Sequence, residues 1–136
     1  MTVTADSSVI VPALAPWHEH HAVARAALAK TDLLISHVLA ETFAVLTGLP
    51  APHRVPVPAA VTALTALADQ REIIEINAPI YRDVIARAEA ANIVGGAIYD
   101  ALIGATTRQR GATLYSLDKR AQPIYDALAV NVSVPS

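Results

Sequence analysis

Four of the chain's twelve acidic residues, Asp6, Glu41, Asp100 and Asp118, could do chemistry together. Asp6 interrupts the apolar run "VTADSSVIV", bordered by Val3, Ala5 and Val9-Ile10. Glu41 lies between Val38-Leu39-Ala40 and Phe43, and Asp100 between Ile98-Tyr99 and Ala101-Leu102-Ile103. An acid in such surroundings is not part of an ordinary solvated face. Two carboxylates about 4 Å apart repel by about 4 kcal/mol at an effective dielectric of about 20. Converging acids therefore demand a cation or stay partly protonated. Cysteine-free, all-oxygen ligation suits a hard ion, Mg²⁺ with Mn²⁺ as substitute. Such an ion activates a water and stabilises the leaving oxygen of a phosphodiester. Each acid alone is more commonly a helix cap or an N-terminal helix charge; it is their joint placement that points to chemistry.

That placement follows from the elements. Val3-Thr4-Ala5 is a β-rich run ending at Asp6, and a helix is predicted from Ser8 to Leu14, capped by Ser7 or Ser8 and ending before Pro16. Trp17 to Lys30 has helical spacing, and Leu33-Leu34-Ile35 is a buried strand candidate. Ser36 looks like the cap of a helix from His37 to Leu46 that Gly48 ends. Leu49 to Pro58, with its four prolines, is a loop. Helix resumes from Ala59 to Ala68, "EIIEI" (Glu72 to Ile76) is a third strand, and Pro79 opens a helix covering Ile80 to Ala91. Gly95-Gly96 breaks the chain before a helix reaching Arg108 or Arg110. Ala112 to Tyr115 is a fourth strand, Ser116 or Asp118 opens a last helix to about Leu128, and Val130 to Val132 is a final short strand. Short apolar strands alternating with helices predict an α/β fold: a single three-layer domain over 1–136, its parallel sheet of four to five short strands covered by helices on both faces. In such sheets ligands collect beyond the carboxyl ends of the strands. Asp6 and Asp118 follow strands there, and Glu41 and Asp100 lie early in helices at that edge.

At these four residues the sequence resembles the PIN-domain ribonucleases, and among them the VapC-type toxins of bacterial toxin–antitoxin pairs, over nearly its whole length. "VTADSSVIV" resembles the family's opening motif and places Asp6. "ISHVLAETFAVLTGLP" resembles the second and places Glu41. "IYDALIGATTRQRGATLYSLD" resembles the third running into the fourth, and places Asp100 and Asp118. Ser8 and Ser116 match small hydroxyl positions that support the acids. Many relatives have Thr where Ser116 stands, and Lys119 and Arg120 follow Asp118 where some relatives carry a further acid. The resemblance implies a Mg²⁺- or Mn²⁺-dependent endoribonuclease acting on structured RNA (tRNA or rRNA). It also implies a homodimer, and a cognate antitoxin that covers the active site.

Other features fit around this reading. Hydrophobic residues make up 54% of the chain, the net charge is -2 and the pI about 6.2, which argues against a general nucleic-acid coat protein. Locally, Arg108, Arg110, Lys119 and Arg120 surround the fourth strand and are candidate contacts to RNA phosphates; a helix C-terminus and a solvated turn account for them equally. "HEHH" (His18 to His21) invites a zinc reading, but no third ligand has suitable spacing and a solvated helix start fits better. His37 lies near Glu41 on one helix side. The four tyrosines, Trp17 and the loop with His53 and Arg54 read as core or interface residues, or as contacts to partner or substrate. No apolar run approaches the ~20 residues that span a bilayer, and the start lacks a signal peptide's pattern, so the cytoplasm is the expected location. Among rivals, a phosphoacceptor domain lacks its Asp, since Asn77 follows strand three. Gly95-Gly96 fits no nucleotide-binding loop. A catalytically inactive PIN-like binding module is the alternative that the four intact acids oppose.

Overall fold

The computed structural model describes residues 1–136. Five parallel strands, β1 (Val3–Ala5), β2 (Leu33–Ile35), β3 (Glu72–Ile74), β4 (Thr113–Tyr115) and β5 (Val132–Ser133), alternate with seven helices. These are α1 (Ser7–Leu14), α2 (His21–Ala29), α3 (Ser36–Gly48), α4 (Val57–Asp69), α5 (Ala78–Arg87), α6 (Ala97–Gln109) and α7 (Gln122–Ala127). The expected α/β architecture is present, but the hydrogen-bond ladder is in two pieces: β1-β4-β5 and β2-β3. Asp32 bridges the gap. Its N–H donates to the Val3 carbonyl and its Oδ2 accepts from the Val3 N–H, both at 2.9 Å. β1 and β2 are buried throughout, which is why they read as continuous apolar runs; β3 is an edge and carries Glu72. The helices pack as two groups, α1 to α4 and α5 to α7, and one core of 23 buried residues joins both to the strands.

Several boundaries differ from expectation for local reasons. α1 is capped by Asp6, not by Ser7 or Ser8: the Asp6 side chain accepts from the Ser8 N–H at 3.0 Å. The helix expected from Trp17 begins only at His21, because His18 Nδ1 accepts the His20 N–H (3.0 Å) and holds a turn there. α3 starts at Ser36 with no side-chain cap. α5 stops at Arg87, and Asn92, at φ 54°, turns the chain beyond it. The last helix opens at Gln122 rather than at Ser116 or Asp118: Asp118 Oδ1 accepts from the Arg120 N–H (2.9 Å) in a turn, and Pro123 sits in the helix's first turn. Val130 donates to the Tyr125 carbonyl to close α7, with Ala129 at φ 54°, so the final strand starts two residues later than expected. No helix is long and apolar enough to cross a membrane.

Candidate functional site

The parallel register sets the site. Ala5 pairs with Tyr115, so the next residues, Asp6 and Ser116, leave the sheet level with each other. The Asp6 N–H donates to the Tyr115 carbonyl at 3.1 Å, fixing the chain as it turns into α1. α3 follows β2 without a linker and carries Glu41 in its second turn. α6 runs back against the strands, so its first turn, with Asp100, enters at the same edge. Asp118 lies three residues beyond β4. The acids from distant parts of the chain thus meet around Asp100, which feels the charges of Asp118, Asp6 and Glu41, while Glu41 also feels that of Asp6.

Asp6 is buried and densely held. Its Oδ1 accepts from the Ser8 N–H and the Ser8 hydroxyl, and its Oδ2 accepts from the Tyr125 hydroxyl at 2.8 Å. Burial pushes its carboxyl pKa up, while the hydroxyls of Ser116, Ser8 and Tyr125 oppose the rise. Asp6 is therefore held on both oxygens by its own surroundings. Ser8 Oγ also accepts from the Leu117 N–H at 2.8 Å and lies 3.4 Å from Ser116 Oγ, which accepts from the Asp118 N–H at 3.2 Å. The two serines therefore tie the Asp6 turn to the Asp118 turn.

Glu41 is oriented by two neighbours. His37 Nε2 stands 3.1 Å from Oε1, and the Ser7 hydroxyl donates to Oε2 at 3.4 Å. The His37 ring stacks on Tyr99 at 5.3 Å. Burial and the nearby Asp6 raise the Glu41 pKa, with His37 and Ser7 opposing. The Asp100 carboxyl is pushed up to about 6 by burial and then by Asp118, Asp6 and Glu41; Arg120 is the cation that acts the other way. A carboxylate in a helix's first turn should be favoured by the helix dipole; burial, together with the charges of three acids, outweighs that here.

The donor set is all oxygen. No three acidic or histidine side chains converge closely enough to enclose an ion by themselves. In the "HEHH" segment, His21 Nδ1 lies 2.8 Å from the Pro12 carbonyl and ties the start of α2 to α1.

The four cations expected near the fourth strand are split. Lys119 and Arg120 lie beside Asp118, with Arg120 Nε 3.7 Å from Asp118 Oδ1. Arg108 and Arg110 lie at the other end of α6, where Arg110 pairs with Glu72 at the start of β3. At 1.5 Å per residue, Arg108 is about 12 Å along the helix from Asp100. The two pairs of cations thus stand at opposite ends of α6. Sequence reasoning missed the roles of Tyr125 and Ser7; no local pattern marks a tyrosine that bonds across 119 residues.

The family description "PIN domain" matches residues 3–127. The chain is 39% identical to the ribonuclease VapC40 of Mycobacterium tuberculosis over 132 residues, covering 97% of this chain and 98% of the relative. It is 35% identical to the ribonuclease VapC27 of the same organism over 131 residues, covering 95% and 93%. In fold it resembles the sarcin–ricin loop-cleaving toxin VapC20 of M. tuberculosis, with a TM-score of 0.73, 20% identity, and 89% and 93% coverage. It also resembles the VapBC2 complex of Rickettsia felis bound to promoter DNA, with a TM-score of 0.69 at 17% identity over the whole of both chains.

Proposed function

The chain belongs to the PIN-domain family, alongside its VapC-type ribonucleases, and from that premise we propose that it is the toxin of a type II toxin–antitoxin pair, a Mg²⁺- or Mn²⁺-dependent endoribonuclease that cuts structured RNA. The observation that supports the reading is the clustering of Asp6, Glu41 and Asp118 around Asp100 at one sheet edge, where the three raise the proton affinity of Asp100 and Asp6 raises that of Glu41. Acids so arranged are relieved by a divalent cation.

Asp6, Glu41 and Asp100 would hold the ion, directly or through water, with Asp118 assisting. When bound, a divalent cation lowers the pKa of a water and stabilises charge on the phosphate. His37 and Ser7 fix the rotamer of Glu41, and Tyr125 and Ser8 fix that of Asp6. The Ser8 hydroxyl already donates to Asp6, so it is committed to positioning rather than to attack. Lys119 and Arg120 flank the acids and suit RNA phosphates. Val57 and Val61 on α4 and Tyr81 and Ile85 on α5 are exposed apolar residues that suit a protein partner; a cognate antitoxin and a second copy of the chain are the partners proposed.

The test is cleavage of total RNA with Mg²⁺ or Mn²⁺, blocked by EDTA. Asp6→Asn and Asp100→Asn should each fold and lose at least about 100-fold of the rate, more than the 10–100-fold typical of outer-shell partners. Full activity of either variant, or no cleavage by the unaltered protein with both metals, overturns the reading in favour of a binding module.

A further inference from the structure

The "HEHH" segment forms one wall of a groove that begins at Asp118. A cavity of about 460 Å³ is lined by Ser7 and Ser8 from the Asp6 turn, His18 and His20 from the α1–α2 turn, and Asp118 and Arg120. His20 also borders a second cavity of about 610 Å³, shared with Lys119 and Gln122. These volumes fall in the range of small-ligand sites, about 300–1,000 Å³.

The rings along this wall form a row. His20 and His18 have centroids 5.5 Å apart, His18 and Trp17 5.7 Å, and Trp17 stacks on His53 at 4.0 Å and 27°. The row links the α1–α2 turn to the proline-rich loop before α4. The Trp17 side of it is 46% exposed and the His20 side chain 51%. His18 Nδ1 accepts a backbone N–H, so its hydrogen is on Nε2, free to donate. Lys119 borders the groove, as does Arg120 with its Nε 3.7 Å from Asp118, and Glu19 lies 3.4 Å from His20 Nε2; exposed rings beside cations are the combination that holds single-stranded nucleic acid, bases stacking on the rings while lysine and arginine take the phosphates.

We infer that this groove is the site for an unpaired RNA base next to the cleaved phosphate, with His20 as its stacking platform and His18 as a donor to its edge. The inference rests on the ribonuclease reading and adds the substrate feature it selects: a nucleotide flipped or looped out of pairing beside the scissile bond. His20 caps no backbone group of α2, so its side chain can be replaced without unmaking the helix.

The test is a coupling measurement. A fluorescein-labelled RNA hairpin pool with a randomised loop is titrated by fluorescence anisotropy against the Asp100→Asn protein, which leaves the RNA intact. His20→Ala on that background should weaken binding about fivefold or more, and His20→Phe should keep it within about twofold. An abasic residue placed at one loop position at a time should weaken binding by His20, at one position, but add nothing to His20→Ala. Equal affinity of His20→Ala and its parent, or no abasic position that couples to His20, overturns the inference. Thermal melting checks that each variant is folded. A parent chain that cuts RNA while this coupling is absent sinks the base site alone; a chain that neither cuts nor binds RNA sinks the nuclease reading with it.

Discussion

Asp6 serves two structures at once. It is the N-cap of α1 through Oδ1 and the acceptor of a buried phenol through Oδ2, and only what is left over faces the site. The cap was visible in principle, since Asp is among the best N-caps and stands directly after the strand; a cap at Ser7 or Ser8 belongs to a helix from Ser8, whereas α1 begins one residue sooner, at Ser7. The acid's neighbours in sequence exposed it as unusual. Its third partner could not be read, because Tyr125 arrives from α7 through tertiary packing. Tyr125 is fully buried, so Tyr125→Phe keeps the ring and removes only the hydroxyl. The loss of one hydrogen bond to an acid should cost about 1–3 kcal/mol, read as a lower denaturation midpoint. Asp6 then gains freedom to rotate, and Mg²⁺-dependent cleavage should fall about 10–100-fold. A variant of full stability and full rate would show that the phenol does not hold Asp6.

α6 is the element on which most of the site hangs. Its first turn carries Asp100, its middle packs on Tyr125, and its last turn reaches the opposite sheet edge. A Cβ at Gly104 would lie 2.9 Å from Val130 Cγ2 and 3.1 Å from Tyr125 Cδ1, so something must move. Gly104→Ala gains about 1 kcal/mol of helix propensity against about 1–3 kcal/mol of overpacking. The expected net is destabilisation, with reduced cleavage because Tyr125 is displaced; a higher melting temperature would sink this. The pH response belongs to the same helix. The Asp100 carboxyl sits at about 6 in the folded protein against 3.8 ordinarily, so between those values the folded state holds the extra proton. Its contribution to stability is then greatest at low pH and is lost as pH rises through about 6. In EDTA, the melting temperature of Asp100→Asn relative to the unaltered protein should therefore climb across this window, and Mg²⁺ should close the gap at neutral pH. A pH-independent gap would refute the crowding. Elements of this kind were largely legible, because alternating strands and helices leave different periodicities. Their ends were less so: they depend on a His18 ring accepting a backbone N–H or on Ala129 adopting φ 54°, neither of which composition reveals.

At the scale of the molecule, charge is sorted by sheet edge. With a net charge of -2 the chain has no general attraction for RNA, so binding must come from where its cations stand. Grouping Arg108, Arg110, Lys119 and Arg120 by their nearness in sequence placed them together; the helix between Asp100 and Arg110 separates them in space, since a segment antiparallel to the strands carries its two ends to opposite edges. Lys119 and Arg120 share the acids' edge, and Arg110 is engaged with Glu72. Each phosphate contact contributes about 0.7 to 0.9 to the slope of log affinity against log salt. Replacing both Lys119 and Arg120 by Gln should thus flatten that slope by about 1.4 to 1.8 and weaken RNA binding at low salt. Replacing Arg108 and Arg110 by Gln should leave the slope unchanged, with at most about 1 kcal/mol of stability lost from the exposed Arg110–Glu72 pair. The reverse pattern, a slope carried by Arg108 and Arg110, would put the RNA path at the wrong edge of the sheet for the acids to cut it.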